Sequence, residues 1–299
     1  ITGVVGGRAH IGGTTVAPRV DAIIGGDGIS YKGYHVDRVQ GNVVYDKGLV
    51  RIDDAQLSIG AGNAKVKGQY VVDTGDFDAV ANVHALSLDT FTQDLTMPIT
   101  GTIDGEIHVL GKNNQLTDLV GAVQGHHIGV RGVILDSVKA DLTHSDNLTN
   151  ITMVGNMGAG SFSGYGSIQN GQVDATVSGN ALPLTSLSPI IGEDVAGTLS
   201  TSINVKGALD NPNMTGTVWG QEILYKGAHF NDIHSDITLD NHVLTLTNGH
   251  IGDGSGGYDI TGWYNINTDE LDLNAKARAV RIENLIRPVT DIPITGWFE

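Results

Sequence analysis

Apolar and polar residues alternate along most of this chain with a period of two. Between Ile99 and Gly111, Ile103, Ile107 and Val109 fall on one side with Gly105 between them, whereas Thr102, Asp104, Glu106 and His108 fall on the other. That period is the mark of a half-buried β-strand. The same form opens the chain, with Val5, Gly7, Ala9 and Ile11 on the apolar side, and returns at Leu199, Ile203 and Val205. Ile294-Thr295-Gly296 begins a further copy. The leading glycines Gly3, Gly101, Gly197 and Gly296 lie 98, 96 and 99 residues apart.

Other landmarks keep the same order. A basic residue precedes a glycine at Lys32-Gly33, Arg131-Gly132 and Lys226-Gly227, and an alternating strand comes next each time. These strands carry Val39, Val43 and Tyr45, then Val138, Ala140 and Leu142, then Ile233, Ile237 and Leu239. Glycine-rich turns succeed them at Gly60-Ala61-Gly62, Gly158-Ala159-Gly160 and Gly252-Asp253-Gly254. Next come strands of small residues, holding Phe77, Ala79, Ala81 and Val83, then Ala175 and Val177, then Leu271, Leu273, Ala275 and Ala277. Each unit closes on a short helical pattern: Leu88-Asp89-Thr90-Phe91, Leu184-Thr185-Ser186-Leu187 and Ile282-Glu283-Asn284-Leu285. Pro98, Pro189, Pro288 and Pro293 punctuate the links from these segments to the next glycine-led strand. Alternating strands between regular turns predict an almost all-β antiparallel structure. The period predicts stacked modules with an elongated shape: 1–100, 101–196, 197–295 and the start of a truncated fourth at 296–299.

Composition narrows the function. Glycine, at 42 of 299 residues, is about twice its usual share. A net charge of −16 argues against a phosphate-backbone binder, so no nucleic-acid partner is expected, and it fits a wet outer surface. The absence of cysteine excludes disulfides and thiolate chemistry. No stretch has the roughly 20 apolar residues that a membrane-spanning helix needs. Since the pattern is cut at both ends, the expectation is a piece of a longer protein, with its anchoring segment elsewhere. The inward set is unusual for a closed core, because it is heavy in Gly and Ala and poor in aromatics. Small residues either let two sheets approach closely or leave room for something apolar.

The leading stretch Gly101-Thr102-Ile103-Asp104-Gly105, its copy Gly197-Thr198-Leu199, and the closing segments Leu182-Pro183-Leu184-Thr185-Ser186-Leu187 and Val280-Arg281-Ile282-Glu283-Asn284-Leu285 resemble the repeated β-region of the AsmA-like superfamily, TamB-type. The pattern is loose and covers essentially the whole chain. The resemblance implies a long sheet folded into a U-shaped trough (a β-taco) of stacked modules with short helical segments between them. It also implies a bridge-like lipid transporter anchored in the inner membrane and crossing the periplasm, with a role in outer-membrane biogenesis through an Omp85-type partner. The region that binds such a partner is not recognisable here. Exposing an acyl chain to water costs about 0.8 kcal/mol per CH₂, hence on the order of 12 kcal/mol for sixteen carbons. A continuous apolar track removes most of that barrier without any tight site.

The expected lining of such a track is Val5, Ala9, Ile11, Val43, Ala79, Ala81 and Val83 in the first module. In the second it is Ile103, Ile107, Val109, Leu142, Ala175 and Val177. In the third it is Leu199, Ile203, Val205, Ile237, Leu239, Leu271, Leu273, Ala275 and Ala277. The alternative is a closed-core structural or adhesive β-solenoid of the cell envelope with no lipid cargo. Catalysis, a metal and a cofactor are not expected. His126-His127 is the lone adjacent histidine pair, with alternation sending the two side chains to opposite faces, and there is no HExxH or GxSxG. The Gly-x-Gly pairs precede no helix and read as hairpin turns. Gly254-Ser255-Gly256-Gly257-Tyr258-Asp259-Ile260 faintly resembles a calcium nonapeptide but does not recur at nine residues. Asn147, Asn150 and Asn213 head glycosylation triplets of the kind chance supplies in a Thr-rich chain.

Overall fold

The computed structural model describes residues 2–31, 33–92, 98–254, 256–281, 283, 284, 287 and 296–298. Strand makes up 79% of the chain and helix 5%, so the fold is all-β, a single 18-stranded antiparallel sheet that is not closed into a barrel. The first six strands are Thr2–Thr14 (β1), Ala17–Tyr31 (β2), Tyr34–Asp46 (β3), Leu49–Ile59 (β4), Gly62–Val71 (β5) and Asp76–Ser87 (β6), followed by the short helix Asp89–Thr92 (α1). The next six are Ile99–Lys112 (β7), Gln115–Val130 (β8), Val133–Ser145 (β9), Leu148–Met157 (β10), Gly160–Gln169 (β11) and Gln172–Pro183 (β12), followed by the helix Leu184–Ile191 (α2). A third series holds Val195–Ala208 (β13), Asn211–Tyr225 (β14), Ala228–Asp240 (β15), Val243–Gly252 (β16), Gly257–Asn265 (β17) and Leu271–Arg278 (β18). Val280–Arg281 (β19) and Trp297–Phe298 (β20) form a separate two-stranded pair.

By compactness the chain divides into Ile1–Arg131 with Ser137–Ile151, and Gly132–Asp136 with Thr152–Glu299. In the first unit β1 to β8 pair in sequence order, each with the next. In the second, β11 to β18 do the same. Apart from the β6–β7 and β12–β13 links, which run through α1 and α2, most of these connections are short turns in which left-handed residues recur. Gly48, Gly60, Gly75, Gly158 and Gly171 have φ between 57° and 81° at turn positions.

The leading glycines have a second task. The register shifts between Thr2 and Val4, between Thr100 and Thr102, and between Ala196 and Thr198, each time across the intervening glycine. Gly3, Gly101 and Gly197 have φ of 127°, 111° and 114°. A Cβ on Gly101 would come within 2.6 Å of the His127 carbonyl oxygen. Glycine is therefore required both by torsion and by close approach. A second bulge occurs in β6 and in β12, at Ala85 and Ala181, with φ of 48° and 49°. The Ala85 N–H donates to Asp104 Oδ1 at 3.1 Å and the Ala181 N–H to Ser200 Oγ at 3.0 Å, so the bulged amides are satisfied.

The helices fall where the pattern predicts them, with one correction. Pro189 does not stop α2: it lies inside it, and the helix runs on to Ile191 before Gly192 ends it at φ 77°. Pro189 has no N–H to donate to the Thr185 carbonyl four residues back, so α2 gives up one backbone hydrogen bond there. Of the third closing segment, Glu283 and Asn284 are helical, and Ile282 and Leu285 lie outside the described residues. So do Lys32, Pro288, Pro293, Ile294, Thr295 and Glu299, so that the fourth copy is represented by Gly296 and β20 alone.

The buried residues gather near the bulges and helices. In the first unit Ala55, Ile59, Ala64, Leu86 and Ile128 are buried, and Phe91 of α1 stacks on Tyr34 at 6.0 Å between centroids. Buried Thr92 donates its hydroxyl to the Ile99 carbonyl (2.6 Å) and accepts the Ile99 N–H (3.0 Å), tying α1 to the start of β7. In the second unit Val133, Met157 and Leu184 are buried, as are Ile223, Ala228, Tyr258 and Val280. Asn284, also buried, donates Nδ2–H to the His229 carbonyl at 3.1 Å.

Candidate functional site, an open apolar sheet face

Side chains at paired positions of an antiparallel ladder share a face. Followed strand to strand, the registers of the first unit join Ala9, Ala22, Val43, Ile52, Gly68, Ala79, Val109 and Leu119 in one row from β1 to β8. The adjoining row is Gly7, Ile24, Gly41, Ala55, Val66, Ala81, Ile107 and Gly121. A third contains Val5, Gly26, Val39, Leu57, Ala64, Val83, Gly105 and Val123, and Ile11 stands in the row with Val20 and Tyr45. Ile103 lies on the same side, opposite Leu86 and Gly125. None of these row positions carries a charge.

The second unit repeats the arrangement. One row joins Gly166, Ala175, Val205, Met214, Leu239, Leu244, Tyr264 and Leu271. The next joins Gly164, Val177, Ile203, Gly216, Ile237, Leu246, Gly262 and Leu273. Leu199 pairs with Leu182 and Gly220, Ala275 with Ile260, and Ala277 with Tyr258. Every expected lining residue except Leu142 thus joins its neighbours through the ladder on one face of its unit. Leu142 is a half-buried position of β9, where exposed and half-buried residues alternate, and that alternation sets its face.

Two aliphatic hydroxyls interrupt the apolar face of the second unit, and both are spent on backbone, while the Tyr264 phenol donates to Asp269 Oδ1 at 2.6 Å. Thr201 Oγ1–H donates to the Thr217 carbonyl at 2.9 Å, and Ser235 Oγ–H is shared between the carbonyls of Asp236 (2.9 Å) and Thr247 (3.1 Å). Neither presents a free donor to a ligand. Tyr258 is different. It is only 7% exposed, burial pushes its phenol pKa up, and its hydroxyl has no hydrogen-bond partner among the described residues.

None of the expected lining residues is buried. Ile11 is 72% exposed, Val5 67%, Leu271 60% and Val177 39%, and the interior strands hold half-buried residues such as Ala79, Ile107 and Ile203. A close-packed sheet-on-sheet core would bring such positions near zero.

The opposite face is polar and stitched by charge. Arg38 pairs with Asp27 (2.9 Å), Lys206 with Asp174 (3.2 Å) and His108 with Asp78 (2.7 Å). Asp104 sits between His84 (2.5 Å) and His126 (3.4 Å). The Ala85 N–H, and after it the His84 hydrogen bond, holds the Asp104 carboxyl below its usual range. His126 is thereby placed on the polar face. His127, at φ 50°, occupies the β8 bulge, so simple alternation does not describe this pair. Among the described residues no group of three or more His, Asp or Glu side chains is placed to hold a metal ion. No helix of the described residues is long and apolar enough to cross a membrane. No family model, curated protein or solved structure matches the chain.

Proposed function

We propose that this chain is part of a bridge-like lipid transport protein, in which the apolar sheet face lines a U-shaped trough that carries (phospho)lipid acyl chains across the periplasm. The observation that carries this reading is the run of uncharged rows crossing eight consecutive strands in each unit, with side chains accessible and not packed to completion. Acyl chains have the chemistry such a surface takes: apolar, flexible and indifferent to the absence of polar anchors. Burying each methylene gains about 0.8 kcal/mol wherever it lies, so the track holds cargo without fixing it at one point. The resemblance to AsmA-like, TamB-type β-regions supports the same reading. From it come the stacked modules of about 98 residues, the inner-membrane anchor outside this chain, and the link to outer-membrane biogenesis through an Omp85-type partner. The closed-core adhesive alternative requires a facing wall over these rows, and their accessibility counts against it.

The test uses purified chain, extraction of bound lipid with mass spectrometry, and uptake of a fluorescent fatty-acyl probe. Lipid in the extract and saturable probe uptake are expected. Val177→Asp and Ala275→Asp each set a carboxylate in the track, at a cost of roughly 2–4 kcal/mol against hydrocarbon, and should abolish uptake while the β-sheet circular dichroism stays unchanged. Lipid-free protein that takes up no probe, or uptake undiminished by both aspartates, defeats the proposal.

A further inference from the structure

The third strand series brings two histidines and two cations together. On its polar face, a concavity of about 580 Å³ is lined by His234, Asn248, His250, Asp259, Lys276 and Arg278, among others. The registers explain how residues so far apart in sequence meet. His234 of β15 pairs with His250 of β16, His250 with Asp259 of β17, and Asp259 with Lys276 of β18. The two imidazoles stack at 5.4 Å between centroids, and His250 Nδ1 lies 3.1 Å from Asp259 Oδ1. Lys276 and Arg278 are two residues apart on one strand, so they point to the same side about 7 Å apart.

These cations are surplus to the fold. Elsewhere in the second unit Lys206 is engaged by Asp174 and Lys226 by Glu193. Among the described residues Lys276 and Arg278 belong to no such pair, and they act on Asp259 as an electrostatic pull that helps hold its carboxyl low, after the larger contribution of the His250 hydrogen bond. In the earlier series the strands corresponding to β18 carry no Lys or Arg at these places. The cross-strand pairs there are Lys65 with Asn82 and Asn63 with His84, or Ser163 with Ser178 and Ser161 with Asn180. The β11–β12 hairpin holds no Lys or Arg at all, so a strand pair of this geometry needs no cationic couple. In a chain of net charge −16, two unneutralised cations beside two histidines in the wall of a concavity call for an anion.

We propose that this concavity binds phosphate monoesters. A guanidinium matches two phosphate oxygens at once, an ammonium across the gap adds a point charge, and Asn274 and Thr261 supply neutral donors at the rim. Asp259 is the built-in competitor, a carboxylate occupying part of the same field. The site is independent of the lipid track, because strand alternation puts Lys276 and Arg278 on the opposite face from Ala275 and Ala277.

The test is a titration of isotope-labelled chain with inorganic phosphate, against chloride at equal ionic strength, read from the amide resonances of residues 259–261 and 274–278. Saturable shifts specific to phosphate are expected. Affinity should fall about tenfold in Lys276→Gln and in Arg278→Gln, the scale of one charge-assisted hydrogen bond, and rise several-fold in Asp259→Asn. A gain of affinity cannot come from unfolding. A second arm uses phosphatidylcholine vesicles with and without phosphatidic acid. Flotation with the acidic vesicles that free phosphate competes away identifies a lipid headgroup as the source. Phosphate binding without flotation identifies a soluble phosphate. Shifts that do not saturate, that chloride reproduces, or that survive both cation substitutions overturn the proposal.

Discussion

Gly101→Ala isolates the device that begins the second strand series. Two costs combine in it. At φ 111° an L-residue is strained by about 1–3 kcal/mol. The new Cβ would also stand 2.6 Å from the His127 carbonyl oxygen and 2.8 Å from that of His126. Both obstacles are backbone, so relief requires the β7–β8 ladder to open around the bulge, at about 1 kcal/mol for each hydrogen bond lost. Together they come to about 3 kcal/mol. Gly6→Ala is the matched control: nothing lies within 4 Å of its would-be Cβ and its φ is unexceptional. There, restricting the unfolded chain should leave stability unchanged or raise it by about 0.4–1 kcal/mol. Urea unfolding followed by circular dichroism, with amide exchange of residues 99–104 and 125–130, separates the two. If Gly101→Ala loses less than about 1 kcal/mol, or no more than Gly6→Ala, close approach at the bulge does not select glycine and the reasoning about the leading motif is wrong.

Two further outcomes are expected. Tyr258→Phe removes a buried hydroxyl that lacks a partner among the described residues and should raise the urea-unfolding free energy by about 1 kcal/mol; a loss of that size would reveal a hydrogen bond to the phenol. Asp104 has a folded-state pKa below its unfolded value, so its contribution is present above about pH 4 and is lost as the pH falls through the folded value. Asp104→Asn should therefore flatten the dependence of the urea midpoint on pH below about 4, and an unchanged acid limb would refute the assignment.

Much of this architecture is legible in the order of residues because a period of two needs no tertiary information. The faces of β1, β7 and β13 follow directly from Val5, Ile107 and Ile203, and α1 and α2 follow from their short segments. Other features are set by contacts between strands. Ala85 and Ala181 adopt left-handed torsions, yet alanine carries no local signal for them; what holds them is a cross-strand acceptor, Asp104 or Ser200. Pro189 reads as a stop and instead sits in the last helical turn. The cationic concavity is invisible in sequence because His234, His250, Asp259 and Lys276 come from four strands and meet only through three registers.

The division of labour between faces explains how this sheet tolerates an uncovered apolar side. Cross-strand ion pairs such as Arg38–Asp27 and Lys206–Asp174 are exposed, and each contributes at most about 1 kcal/mol. They fix register more than they supply stability. Dense burial is confined to the clusters around the bulges and helices, where Leu86, Leu184 and Val280 sit. The remaining length of each strand is held by its backbone ladder, so its apolar side chains are not required to pack against a second layer. Alternating Gly with Val or Ile along a row, as in Gly7, Ile24 and Gly41, also keeps the surface ridged and shallow. The neighbouring strand also selects glycine there: a Cβ on Gly7 would stand 2.5 Å from the Ile23 carbonyl oxygen, and one on Gly41 would stand 3.0 Å from the Ala55 Cβ. Small residues along these rows suit the acyl-chain surface proposed above, which needs no second layer packed against it.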